Sequence, residues 1–151
     1  MNIVQRRLGR ITLGLAIPLG ALVFVSSPAS ASTPTQLSVS NATLGPLGAS
    51  VSVTLTLTCD PSVNVAFGDA SVTQVSGHKL AQGSGSFTNS FPGVPCTGAA
   101  ETITVSVNAF GSFAFKNGKN AMASADVTVF DPVSGNLSTT SISGQAITIK
   151  K

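Results

Sequence analysis

From Val51 to Cys59 apolar and polar residues alternate without a break. Val51, Val53, Leu55, Leu57 and Cys59 fall on one face, and Ser52, Thr54, Thr56 and Thr58 on the other. Period two places successive side chains on opposite faces of a strand, so this segment has one buried and one wet face. Pro61 ends it. The same pattern recurs at Thr102–Ala109, with Ile103, Val105, Val107 and Ala109 inward. It recurs again at Ala121–Val129, with Ala121, Ala123, Ala125, Val127 and Val129 inward. Shorter runs occupy Gln36–Ala42, Val63–Phe67, Ala70–Ser76, Phe87–Phe91 and Ala146–Lys150. Gly45-Pro46, Gly83-Ser84-Gly85, Pro92-Gly93 and Ser134-Gly135-Asn136 read as turns, and Asn117-Gly118 as a hairpin. No segment carries a sustained helical period. The expectation is an all-β domain of seven or eight strands over residues 36–151. Its architecture reads as a two-sheet antiparallel, immunoglobulin-like sandwich, without the central Trp or the Tyr corner of true immunoglobulin domains.

The first 31 residues obey a different grammar. Arg6, Arg7 and Arg10 precede a 15-residue uncharged run, Ile11–Val25; Pro28 and Ala29-Ser30-Ala31 come after it. A positive head, a short apolar centre and small residues at the −3 and −1 positions spell a helical secretory signal peptide. Cleavage is expected after Ala31, leaving residues 32–35 as a flexible lead-in and a secreted, extracellular product, with cell-surface association open. The apolar run is shorter than a membrane span. Gln5-Arg6-Arg7-Leu8 holds two arginines, but Leu8-Gly9-Arg10 departs from the twin-arginine consensus, so the general secretory route is preferred.

Losing the leader removes every arginine. Lys79, Lys116, Lys119, Lys150 and Lys151 then balance Asp60, Asp69, Glu101, Asp126 and Asp131, five against five. The basic character of the whole chain therefore belongs to the leader and does not point to nucleic acid, which demands clustered cations. Cys59 and Cys96 are the only cysteines. In an exported chain a pair favours a disulfide over a metal site. The enclosed loop of about 38 residues gives roughly 4 kcal/mol in the chain-entropy account.

The order Leu57-Thr58-Cys59, Val72-Thr73-Gln74, Ala81-Gln82-Gly83-Ser84-Gly85, Cys96-Thr97-Gly98 and Phe115-Lys116-Asn117-Gly118-Lys119-Asn120-Ala121 resembles a group of small secreted proteins of high-GC actinobacteria. That resemblance covers about residues 49–150. It implies an all-β fold and brings no assigned catalytic or binding residues. Some relatives carry a further cysteine pair near the position of Asp131, which this chain lacks.

Chemistry-bearing clusters are scarce. His78, the single histidine, sits in the polar turn Ser76-Gly77-His78-Lys79, and no Gly-x-Ser-x-Gly elbow accompanies it. Asp60, Asp69, Asp126 and Asp131 lack calcium-loop spacing. Asn41 and Asn136 fit the glycosylation pattern. Neither a metal, a cofactor nor an enzymatic activity is expected. One cluster stands out: Phe110, Phe113, Phe115 and Lys116 crowd before Asn117-Gly118. It reads as a plug for one end of the core or as an exposed binding patch. The expected function is a secreted, non-catalytic structural or adhesion-type module with a protein or cell-wall partner and no membrane span after cleavage. The alternative is a binding protein for a small apolar ligand with a Phe-lined cleft.

Overall fold

A computed structural model describes residues 35–90 and 92–151; the expected signal peptide and residues 32–34 of the lead-in lie outside the described residues. Eight strands succeed one another: β1 Gln36–Leu44, β2 Ser50–Thr58, β3 Asn64–Ser76, β4 Lys79–Thr88, β5 Val94–Pro95, β6 Glu101–Phe110, β7 Gly118–Phe130 and β8 Leu137–Lys150. Among the described residues the only helical element is one 3₁₀ turn, Pro46–Gly48. The all-β expectation is met.

The sandwich expectation is corrected. The strands run β4-β6-β2-β1-β8-β7-β3 and back to β4, so seven strands form a closed barrel, with β5 added beside β3. Closure rests on two thin seams. β4 meets β6 through Gln82↔Phe110, Gly83↔Ala109 and Ser84↔Asn108. β1 meets β8 in parallel through Ala42↔Ile149 and Thr43↔Lys150. Both seams lie at the end where β6 and β8 finish. Beyond the β1–β8 pairing, Gln145 extends the seam: its side-chain amide donates to the Val39 carbonyl at 2.6 Å and accepts from the Val39 amide at 3.2 Å. A side chain thus stands in for a backbone rung, satisfying groups a diverging strand would leave unpaired.

At the opposite end the walls are joined covalently. Cys59, just past β2, bonds Cys96, just past β5, with Cα atoms 5.8 Å apart. Both are buried, and the Cys96 amide donates to the Val63 carbonyl at 3.0 Å. Hydrogen bonds therefore close one end of the barrel and the disulfide staples the other.

The alternation of β2 is realised in full. Val51, Val53, Leu55 and Leu57 have no exposed surface, while Ser52, Thr54, Thr56 and Thr58 are half-buried. Val105, Val107, Ala121, Ala123, Ala125, Val127 and Val129 complete the core from β6 and β7. Apolar side chains point inward and Ser/Thr outward, the inverse of a lipid-embedded barrel. Leu55→Ala is expected to cost about 2 to 5 kcal/mol, since its cavity is closed on all sides. Thr54→Ala is expected to stay within about 0.5 kcal/mol. Paired urea melts of the two variants check this; equal losses would mean that the register is shifted by one.

Several boundaries differ from expectation, each for a local reason. The two runs at 63–76 fuse into β3, and a bulge between Val65 and Phe67 turns Phe67 outward, 40% exposed. Gly83-Ser84-Gly85 is not a turn but mid-strand β4. A Cβ at Gly83 would come within 2.5 Å of the Asn108 carbonyl, and one at Gly85 would strike that of Ser106. The glycines let β4 lie directly against β6. The strand expected at Phe87–Phe91 is only the end of β4, at Thr88. Asn117-Gly118 is not a hairpin either, because β6 and β7 are not neighbours in the barrel. The short run at Ala146–Lys150 extends back to Leu137, and a bulge at Gly144, with φ +64°, breaks its alternation.

Candidate functional site: the lysine end of the barrel

β6 and β7 belong to different parts of the wall, so their connection, residues 111–117, has to cross the barrel mouth. It is held down at three points. Phe115 drops its ring into the core and is 2% exposed. The Phe115 amide donates to the Gly48 carbonyl at 2.9 Å. Gln74, itself buried, grips Lys116: its Nε2 donates to the Lys116 carbonyl at 2.7 Å, and its Oε1 accepts the Lys116 amide at 2.8 Å. This second glutamine repeats the rung made by Gln145. Gly48 has φ +73°, and a Cβ there would collide with the Phe115 carbonyl. The strap and the 3₁₀ turn thus share one close backbone contact.

The aromatic cluster divides. Phe115 is the plug. Phe110 is 55% exposed and Phe113 40% exposed. Lys79, at the start of β4, sets its ammonium 5.3 Å from the Phe113 ring centroid, a cation–π contact. A small pocket of about 160 Å³ runs between them, lined by Gln74, Ser76, Lys79, Phe113 and Lys116 among others. Next to it, Leu47 crowns the 3₁₀ turn. It is 99% exposed and sits at φ +54°, a backbone region unfavourable for a bulky L-residue. A broad, shallow depression joins Leu47 to Phe115, Lys116 and Lys151.

The strand registers place every lysine of residues 35–151 at this one end. Lys79 pairs with Ser76 at the tip of the β3–β4 hairpin. Lys116 is on the strap and Lys119 opens β7. Lys150 closes β8, opposite Thr43 and beside the start of β7, and Lys151 follows it. All five are exposed. The carboxylates lie elsewhere. Asp60 comes just after β2, Glu101 begins β6 and Asp131 comes just after β7, all at the disulfide end. Asp69 and Asp126 face each other across β3 and β7 at mid-barrel. Net charge is zero over these residues, yet the two signs are segregated along the barrel axis.

The acidic-end carboxylates also have local work. Asp60 accepts from the Ser62 amide and hydroxyl, and Glu101 from the Thr97 amide and hydroxyl. Asp131 accepts from the Ser134 hydroxyl at 2.6 Å and from the Val133 amide at 2.8 Å. The Ser134 hydroxyl above all, then the Val133 amide, lowers the Asp131 carboxyl below its ordinary 3.8. A depressed pKa in the folded state stabilises the turn above the unfolded value, and this stabilisation is lost as pH falls through the folded one. NMR of the Val133 and Ser134 amides should therefore show an intact turn at pH 5 that loosens only below 3.8; loosening above pH 5 would contradict it.

His78 lies exposed in the Gly77-His78 hairpin at the lysine end. Among the described residues no three His, Cys, Asp or Glu side chains converge in a way that could hold a metal. Asn41 and Asn136 are both exposed. A second hollow, of about 330 Å³, opens at the disulfide end between Phe67, Pro92, Phe130 and Leu137. Sequence reasoning singled out Phe110, Phe113 and Lys116 but missed Leu47, Gln74 and the gathering of the lysines. An apolar residue inside Gly45-Pro46-Leu47-Gly48 was a visible signal; the lysines, scattered from 79 to 151, were not. No known protein family matches the chain, and no curated protein matches it.

Proposed function

We propose that this is an exported, non-catalytic interaction module that attaches to its partner through the lysine end of the barrel. One observation carries the reading: five lysines and a group of exposed apolar residues, among them Leu47, Phe110 and Phe113, share one end from which carboxylate side chains are absent among the described residues. None of the three apolar side chains serves the core. Exposed aromatics beside cations are the composition of a contact surface rather than of a reaction centre. The outward faces of β2 and of β6 from Thr102 to Asn108 carry Ser, Thr and Asn side chains, as an inert support would.

Fractionating expressing cells tests this. Wild-type protein is expected in the envelope fraction, and a Lys79→Gln/Lys116→Gln/Phe113→Ala triple variant is expected in the medium, folded and with its disulfide intact. Leu137→Ser, at the other end, should partition like the parent. Equal attachment of the triple variant and the parent would refute the reading.

The hollow at the disulfide end favours a second reading, a carrier of a small apolar ligand. About 330 Å³ is at the lower limit for such sites. The pocket beside Phe113 is half that size. Enhancement of anilinonaphthalene sulfonate fluorescence that disappears in Phe67→Ser would support this reading over attachment.

A further inference from the structure

The lysine end couples charge to apolar surface in a way that separates anionic partners from one another. A soluble polyanion would use the lysines and gain nothing from Leu47 or Phe110. Leu47 and Phe110 project: an acidic protein surface would have to offer a matching pocket for each, whereas the fluid interface of a bilayer accepts them without shape complementarity. Leu47 stands at the tip of a turn with almost its entire surface in water, adds no buried area to the fold, and keeps a backbone geometry that costs free energy. The turn itself serves the fold by setting the Gly48 carbonyl under the strap, but a bulky apolar side chain at position 47 does not, and an exposed leucine kept at an unfavourable φ points to a role outside the fold. Phe110 precedes the strap and Phe113 lies on it at the same end; Lys79 contacts the Phe113 ring, Lys116 lines the same pocket, and Lys116 and Lys151 line the depression beside Leu47.

We propose that this end docks on the surface of an anionic lipid bilayer, with Leu47 and Phe110 entering the interfacial region and the lysines lying over the headgroup phosphates. This rests on the attachment reading above and names its partner. The chemistry is that of a peripheral anchor: apolar tips bury in the acyl boundary, and each nearby cation adds attraction to the negative leaflet. The closed barrel and its strapped mouth keep the tips in fixed positions, so little chain has to be ordered on docking. Among the described residues no helix is long and apolar enough to cross a membrane. The Ser/Thr outward faces of β2 and β6 keep the barrel wall out of hydrocarbon, so the contact is with the surface, and high salt reverses it.

Co-sedimentation of the exported protein with vesicles tests the idea, comparing 30% phosphatidylglycerol in phosphatidylcholine with pure phosphatidylcholine. Binding is expected to the anionic vesicles alone and to fall steeply in 1 M salt, where screening reaches only about 3 Å. Lys116→Gln should weaken partitioning about five-fold, and Leu47→Ser about ten-fold. Both variants should melt like the parent. Leu137→Ser should bind normally. Soluble polyphosphate provides the discriminating arm. If it binds as well as the vesicles do, and Leu47→Ser changes neither, the partner is a polyanion: the membrane proposal fails while attachment through the lysine end survives. If Lys116→Gln and Leu47→Ser both bind vesicles like the parent, the membrane proposal fails outright. No binding to either probe also overturns the membrane proposal, and the cell fractionation then decides the attachment reading independently.

Discussion

Phe115→Ala is expected to be among the most damaging single substitutions in the protein, at about 3 to 5 kcal/mol. Its ring fills the barrel mouth beneath the strap, against Gly83, where the room a Cβ would need is already taken by the ring edge at 3.0 Å. Truncation leaves a void that a closed barrel cannot collapse to fill. The strap also loses its apolar anchor, so only the grip of Gln74 on Lys116 and the backbone bond from residue 115 to the Gly48 carbonyl are left to hold residues 111–117. Phe113→Ala, two residues away and 40% exposed, should cost less than about 1 kcal/mol, chiefly the cation–π contact with Lys79. Thermal or urea unfolding of the two variants side by side is the measurement. Similar losses at both positions would mean that the strap does not cross the mouth as described.

Breaking the disulfide is expected to cost about 2 to 5 kcal/mol. The chain-entropy part alone comes to roughly 4 kcal/mol for a loop of this length. The effect should also be uneven in space. The two hydrogen-bonded seams lie at the lysine end, so Cys59→Ala/Cys96→Ala removes the covalent link between the β2 wall and the β3 wall at the other. Hydrogen exchange in the double variant should accelerate first at Val63–Val65, at Val94 and at the start of β6. Exchange at Ala42–Leu44 and Asn108–Phe110 should change least. Uniform acceleration across the barrel would contradict the picture of two differently fastened ends.

The strands were legible where a single period spans a whole wall segment. β2, β6 and β7 alternate cleanly because each is buried on one face along most of its length. The alternation failed where a bulge rotates the strand, as at Ala66 in β3 and at Gly144 in β8; there two half-runs of opposite phase belong to one strand. Glycines misled in β4, since a Gly that permits close backbone approach looks the same in sequence as a Gly in a turn. Barrel closure was not legible at all. It depends on five cross-strand pairs at two seams and on Gln145, whose role requires knowing that Val39 faces it across 106 residues. The candidate site was half legible. Phe110, Phe113, Phe115 and Lys116 were flagged by crowding, but only the topology separates the plug from the exposed pair. The lysine end exists because the topology brings the starts of β4 and β7, the end of β8 and the strap to one mouth of the barrel.

Attachment by the lysine end can be read residue by residue through lysine footprinting. The protein is acetylated with a limiting reagent while attached to the envelope and again after release by high salt, and each lysine is read by mass spectrometry. Protection of Lys79, Lys116, Lys119, Lys150 and Lys151 in the attached state, with no change in carbodiimide labelling of Asp60, Glu101 and Asp131, is the expected result. Equal lysine labelling in the two states, or protection confined to the carboxylates of the disulfide end, would contradict it.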